Sequence, residues 1–191
     1  MSYILPLGTE NAIYIGDRWV KDNLAASTYV WLPLTISGTD VTLDWQDRWA
    51  PDLASGTWST PSDTTRVEGE SGDLENGARV ISCSECSGSQ AAGYIGGDEG
   101  GTVTFNNLPG SGTSRATIGV KYRNGDTDVR HATVTVNDVE YDLAFLSTRH
   151  RSDITHTSSL HCDLKEGENT ISFSNDEGWG PDVDEMVLPV W

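Results

Sequence analysis

Apolar and polar residues alternate with a period of two along the later part of this chain. In Ala116-Thr-Ile-Gly-Val-Lys-Tyr122 the even positions are apolar or aromatic. Ala132, Val134 and Val136 alternate with Thr133 and Thr135, Val103 and Phe105 with Thr102 and Thr104, and Ile171 and Phe173 with Ser172 and Ser174. A period of two turns one set of side chains toward a core and the other toward water, the signature of a half-buried strand. Asn137-Asp138 lies between two such runs and predicts a hairpin turn. Glu166-Gly167 predicts another, ahead of a strand over Asn169–Phe173, and an apolar strand from Met186 to Val190 closes the chain. No ten-residue segment repeats at 3.6. Roughly seven to nine short strands with regular turns predict an all-β sandwich with one apolar face per sheet.

The first sixty residues have a different texture. Short apolar runs at Ala12–Ile15, Thr28–Ile36 and Val41–Trp45 read as strands, yet five of the seven tryptophans (Trp19, Trp31, Trp45, Trp49, Trp58) fall here. So short a segment offers few partners for so many indoles. It is either part of a larger fold or an extension that wraps the sandwich and shields its own tryptophans. The polar, proline-interrupted Trp58–Thr65 suits a linker. The domains are therefore set at residues 1–62, a Trp-rich β segment, and 63–191.

A chain of 191 residues is long enough to bury a core. The formal net charge of −17 repels phosphate backbones and anionic bilayers, which argues against nucleic-acid and membrane partners. The acidity sits mainly after residue 62, where 22 acidic residues face nine basic ones. With 29 carboxylates in all, no single pair identifies acid–base chemistry. No stretch approaches a membrane-spanning length. The start, Met1-Ser-Tyr-Ile-Leu-Pro, lacks the basic and apolar regions of a secretory signal, as expected of a chain shortened at its start or beginning inside a longer parent.

Candidate chemistry concentrates in three places. In Phe173–Trp191 the strand pattern breaks at Asn175–Gly180, where Trp179 stands among glycines and polar groups. Such a loop suits a sugar, the ring covering its C–H face while amides and carboxylates read its hydroxyls. The alternate carboxylates Asp182 and Asp184 suit a hard cation, and a plain acidic surface loop is the simpler alternative. Glu68 and Glu70, two apart, share a face if they lie in a strand. A cation would offset their repulsion; otherwise they are two solvated edge residues. Cys83-Ser-Glu-Cys86 has C-x-x-C spacing, but a loop follows it where a redox motif needs a helix. Zinc needs a second ligand pair, and His150, His156, His161 and Cys162 match no zinc spacing. Cys162, in an expected strand, reads as a small buried apolar residue. Asn124-Gly-Asp-Thr-Asp128 lacks the glycine and terminal glutamate of a calcium loop of the EF-hand kind and reads as an ordinary loop.

Val67-Glu-Gly-Glu70, Cys83-Ser-Glu-Cys-Ser-Gly88, Gly93-Tyr-Ile-Gly96, Asn124-Gly-Asp126 and Phe173-Ser-Asn175 through Gly178-Trp179 and Pro181-Asp-Val-Asp184 together resemble a fungal family 35 carbohydrate-binding module over about residues 65–191. The resemblance implies a jelly-roll sandwich with a structural calcium held by Glu68, Glu70 and Asp184 and by a carbonyl near Gln90. It also implies a Cys83–Cys86 disulfide, which leaves Cys162 free. For a sugar, Tyr94 and Trp179 are the aromatic candidates, with Asn124, Arg130, Asp153, Asn175 and Asp182 as hydrogen-bonding groups. The family often carries an aromatic residue near position 150, where this chain has Thr148-Arg-His-Arg-Ser-Asp153.

Upstream, Tyr14-Ile-Gly-Asp-Arg-Trp19, Ser27-Thr-Tyr-Val-Trp-Leu-Pro-Leu34 and Leu43-Asp-Trp-Gln-Asp-Arg-Trp49 resemble the last part of the β-propeller of a family 43 glycoside hydrolase. The nearest subgroup is that of the fungal exo-β-1,3-galactanase-like enzymes, which carry a family 35 module after the propeller. On that resemblance the blades bearing the catalytic acids are not in this chain, and Asp17, Asp44 and Asp47 are blade residues. The expected function is calcium-stabilised, non-catalytic binding of an extracellular plant cell-wall polysaccharide, a β-galactan or a uronic-acid-containing glycan. The rivals are the C-terminal part of a galactan-degrading hydrolase and a structural domain that docks a partner, or a second copy, through residues 1–62.

Overall fold

A computed structural model describes residues 2–60, 64–112, 116–149 and 155–188. These residues form strands and short turns, with no α-helix among them. They separate into two compact units, Met1–Asp63 and Thr64–Trp191.

In the first unit, β1 (Tyr3–Pro6), β2 (Asn11–Arg18), β3 (Thr28–Ser37) and β4 (Asp40–Thr42) form an antiparallel meander in that order. A separate hairpin joins β5 (Ala50–Asp52) to β6 (Thr57–Ser59). Ala12 pairs with Leu34 across β2 and β3, and both are buried together with Leu32. The next face along β3 shows Tyr29 and Trp31 to solvent. Trp19, Trp31 and Trp45 are 71%, 56% and 54% exposed, so the segment leaves three of its five tryptophans largely unshielded, while Trp49 and Trp58 are half-buried.

The second unit is a two-sheet antiparallel sandwich. Its strands are β7 (Thr65–Glu68), β8 (Asp73–Glu75), β9 (Arg79–Ser82), β10 (Gln90–Gly93), β11 (Thr102–Ser111), β12 (Ala116–Arg123), β13 (Arg130–Val136), β14 (Val139–Phe145), β15 (His156–Cys162), β16 (Glu166–Ser174) and β17 (Asp182–Leu188). One sheet runs β15-β12-β17-β10-β9, with β7 also on β17; the other runs β14-β13-β16-β11-β8. The alternating residues behave as the pattern requires: Ile118, Val120 and Tyr122 of one sheet meet Val134, Phe145 and Phe173 of the other in one core. Tyr122 lies edge-on to Phe145 at 4.8 Å and donates its hydroxyl to the Leu146 carbonyl at 3.1 Å, so its burial leaves no polar atom unpaired. Asn137 and Asp138, both at positive φ, make the expected hairpin between β13 and β14.

Three local expectations change. Glu166-Gly167 opens β16 instead of making a turn, paired with Gly110 and Ser111. The preceding reversal is held by buried Asn169, whose amide donates to the Leu108 and Lys165 carbonyls while its oxygen accepts the Lys165 N–H. The closing strand begins at Asp182, so Asp182 and Asp184 are strand residues. Finally, β7 ends at Glu68 and a 3-10 turn takes Gly69–Ser71, so Glu68 and Glu70 are not alternate residues of one strand.

Candidate functional site

Two loops at one end of the sandwich form an aromatic platform. Beyond β10 the backbone enters the left-handed region at Tyr94 (φ 63°) while Ile95 is driven into the core. The segment 94–101 then zips to 175–181: the Gly97 N–H donates to the Gly178 carbonyl at 2.8 Å, and the Gly180 N–H to the Ile95 carbonyl at 2.9 Å. Trp179 lies directly on Gly97, where a Cβ would come within 2.4 Å of the indole. Gly97 also has φ +70°, so the position favours glycine on two counts. Seated this way, Trp179 remains 48% exposed and meets Tyr94, 42% exposed, edge-to-face at 5.9 Å.

Asp182 lies against Gly93, the residue that leads into Tyr94. Its Oδ1 stands 3.0 Å from where a Gly93 Cβ would be, so only glycine lets the carboxylate come so close to the residue preceding Tyr94. Burial raises the carboxyl's pKa, and the Arg130 and Arg123 guanidinium groups pull it back down. Arg130 donates to the Gly180 carbonyl at 3.0 Å and lies 3.6 Å from Asp126, pinning the Trp179 loop from behind. Asn175 works in the same loop, donating to the His131 carbonyl and accepting the Glu177 N–H, both at 3.0 Å.

Asn124 does not join them. It is fully buried, and its amide donates to the Asp128 and Phe145 carbonyls while its oxygen accepts the Asp126 N–H. The expectation that it offers a hydrogen bond to a sugar gives way to a role as the internal brace of the 124–128 loop. Asp153 lies outside the described residues.

Sequence reasoning passed over Arg79. Directly opposite Gly93 on β9, it sets its guanidinium 3.4 Å over the Tyr94 ring, closing one face of that ring. No charge pattern flagged it, because only the β9–β10 register brings it to Tyr94.

The second cluster gathers around the clipped loop. Cys83 and Cys86 are disulfide-bonded, in the pairing the family resemblance implies, and Cys162 is free and buried. Just after the clip, the Ser87 N–H donates to Asp184 Oδ1 at 2.7 Å and its hydroxyl to Glu68 Oε1 at 2.8 Å. Glu70 Oε1 lies against Gly88. The remaining oxygens, Glu68 Oε2, Glu70 Oε2 and Asp184 Oδ2, are buried without a hydrogen-bond partner among the described residues. Lys121 Nζ approaches Asp184 Oδ2 only to 3.9 Å.

A β-bulge explains how Asp184 arrives there. Against β12 the register steps from Lys121–Glu185 to Tyr122–Val183, leaving Asp184 as the extra residue. The phase of β17 shifts by one, so Val183, Met186 and Leu188 all face the core. Asp184 and Glu185 are left off it. Both oxygens of buried Glu185 accept from the one Arg66 Nη1, at 2.7 and 2.8 Å, whereas among the described residues Asp184 accepts a hydrogen bond only from the Ser87 N–H. Burial raises the Asp184 pKa, while the Ser87 N–H and Lys121 oppose the shift. Gly69 presses against β17 at the Val183 carbonyl with no space for a Cβ, holding Glu68 and Glu70 close to Asp184. Among the described residues no three His, Cys, Asp or Glu side chains stand in a finished ligand geometry. The carboxylates surround the Ser87–Gly88 turn without closing on one point. Gln90, whose carbonyl the resemblance adds to this set, opens β10 just beyond that turn.

Compared with solved structures, the chain resembles an exo-β-1,3-galactanase from Phanerochaete chrysosporium crystallised with β-1,3-galactotriose, at 33% identity and a TM-score of 0.76 over 97% of this chain. It also resembles a family 35 carbohydrate-binding module from Clostridium thermocellum, at 24% identity and a TM-score of 0.59, over 65% of this chain and 98% of that one. The second unit has the fold of a family 35 carbohydrate-binding module. The same fold recurs in a Podospora anserina β-(1,4)-mannanase of the GH26-CBM35 type, at 17% identity and a TM-score of 0.51, over 66% of this chain and 27% of that one. The galactanase match takes in the Trp-rich unit as well, so the likeness to a family 43 hydrolase followed by a family 35 module runs through nearly the whole chain. The chain spans 42% of the galactanase's own length. No family model matches the sequence, and no curated protein does.

Proposed function

We propose that this protein binds a plant cell-wall polysaccharide without cleaving it, through the platform of Trp179 and Tyr94. The observation that carries this reading is the seating of Trp179. The fold gives up a side chain at Gly97 to seat the six-membered ring of the indole against the backbone, with about half of the residue left to solvent. A sugar ring stacks its C–H face on such a surface, and the neighbouring Asp182 carboxylate accepts hydrogen bonds from its hydroxyls. Arg79 closes one face of Tyr94, which leaves Trp179 as the main stacking surface and favours engagement of a single sugar residue. The ligand we favour is a neutral β-1,3-galactan. The solved galactanase that resembles this chain was crystallised with β-1,3-galactotriose, and a net charge of −17 opposes a polyanion at long range. Arg79 supports a second reading, a uronic-acid-containing glycan, because its guanidinium suits a sugar carboxylate at short range. Binding of this kind places the protein outside the cell.

Glu68, Glu70 and Asp184 would hold a calcium ion. Their three unpartnered buried oxygens are hard ligands, and a cation offsets their mutual repulsion and draws the carboxylates together. When bound, the ion supplies charge compensation only. The Ser87 turn then stays fixed on Asp184 and Glu68.

Affinity electrophoresis in gels containing β-1,3-galactan or polygalacturonate, with calcium and with EDTA, tests the reading. Retardation by galactan supports it, retardation by polygalacturonate alone moves it to the acidic glycan, and free migration in both gels rejects it. Release of galactose from β-1,3-galactan by the purified chain would contradict the non-catalytic assignment.

A further inference from the structure

The first unit holds a cavity of about 560 Å³ lined by Asp17, Trp19, Leu24, Ser27, Thr28 and Tyr29. Its two aromatic residues, Trp19 and Tyr29, are 71% and 76% exposed. Asp17 and Tyr29 are direct cross-strand partners, so they stand side by side on one face of the sheet. The loop that follows Trp19 is anchored: Val20 and Ala26 are buried, and the Val20 N–H donates to the Ser27 hydroxyl oxygen at 2.9 Å. Trp19 is thus held in water by a fixed loop.

We propose that this cavity is a second carbohydrate site, independent of Trp179, that takes a neutral pyranose residue. Trp19 and Tyr29 offer ring faces to its C–H surface, while the Asp17 carboxylate and the Ser27 and Thr28 hydroxyls read its hydroxyl groups. The centres of protein–protein interfaces are depleted of charged residues. Here an aspartate stands beside the most exposed aromatic, which favours a polar ligand with an apolar face over an apolar protein surface. The volume lies within the roughly 300–1,000 Å³ range of small-molecule sites.

The test uses the whole chain and β-1,3-galactotriose as probe, with calorimetry for stoichiometry and saturation-transfer NMR for contacts. Wild type should bind two molecules per chain and Trp179→Ala one. Adding Trp19→Ala to Trp179→Ala should weaken that remaining site at least tenfold. Tyr29→Ala and Asp17→Asn, each in the Trp179→Ala background, repeat the measurement with Val20 and Ala26 undisturbed, and both should weaken binding. A single site in wild type that Trp179→Ala abolishes overturns the proposal, as does residual binding indifferent to all three substitutions. So does self-association in sedimentation that Trp19→Ala disperses while sugar binding stays unchanged. If Trp179→Ala still binds two molecules, the Trp179 reading fails by itself, and the Trp19 arm decides this one separately.

Discussion

Asn124 and Trp179 stand in sequence contexts that look alike, polar loops with an adjacent glycine, yet the fold uses them in opposite ways. Trp179 is legible as a surface aromatic because its neighbours leave it no core to enter. Asn124 is misleading, because a buried asparagine that braces its own loop has the same neighbours as one that meets a ligand. Only burial separates them. Replacing Asn124 with alanine removes three side-chain hydrogen bonds from a buried site and leaves two carbonyls short of a donor. We expect a loss of about 2–4 kcal/mol in denaturant unfolding with the m-value unchanged, and galactan affinity kept in the folded fraction. Gly97→Ala should do the reverse. Its Cβ collides with the indole and φ there is unfavourable, so the Trp179 ring must lift. Galactan binding should fall, with a change in tryptophan fluorescence, while the core keeps its cooperative melt. At Cys162, burial pushes the thiol pKa up to about 11, so native protein at neutral pH should resist alkylation that unfolded chain accepts.

At the scale of elements, alternation identified the main strands because each sheet has one wet face, and a period of two survives wherever that holds. It failed on β17. That strand is central and its phase is broken at Asp184, so its first residues look like loop. The bulge makes the carboxylate cluster possible, and no local pattern announces a bulge. The strand-based argument for Glu68 and Glu70 failed for a related reason: Gly69 turns the chain, and their proximity comes from the press of that turn on β17. The disulfide clip belongs to this scale as well. It closes a four-residue loop whose next residue, Ser87, bonds both Glu68 and Asp184. In the chain-entropy account such a loop contributes about 2 kcal/mol. Changing both Cys83 and Cys86 to serine should lower stability by about that amount and weaken calcium affinity, read by fluorescence-monitored titration.

For the whole molecule, the two units pose different problems. The sandwich was readable as a fold because its apolar residues are committed to one core. From its pattern the Trp-rich unit was readable only as strands, and its kinship came from the family 43 resemblance, since part of its apolar surface has no partner within the unit. Calcium tests the sandwich as a unit. An ion bound only to the folded state at a hundredfold over Kd adds about 2.7 kcal/mol, a shift on the order of 10 °C in melting temperature. EDTA should remove that shift and calcium restore it, with Asp184→Asn insensitive to either. An identical melt in EDTA and calcium would take the ion out of the account.

The central claim is that Trp179 is the anchor for the sugar, and calorimetry of the Trp179→Ala chain against β-1,3-galactan, beside its melting curve, tests it most directly. In wild type Trp179 is half exposed and stands outside the hydrophobic core, so truncation should leave stability within about 0.5 kcal/mol. A stacked anchor of this kind carries about 2 kcal/mol of binding, and the strong class of sites should weaken about thirtyfold. Wild-type affinity in the folded Trp179→Ala chain would contradict the account, and so would collapse of the sandwich on losing that one ring.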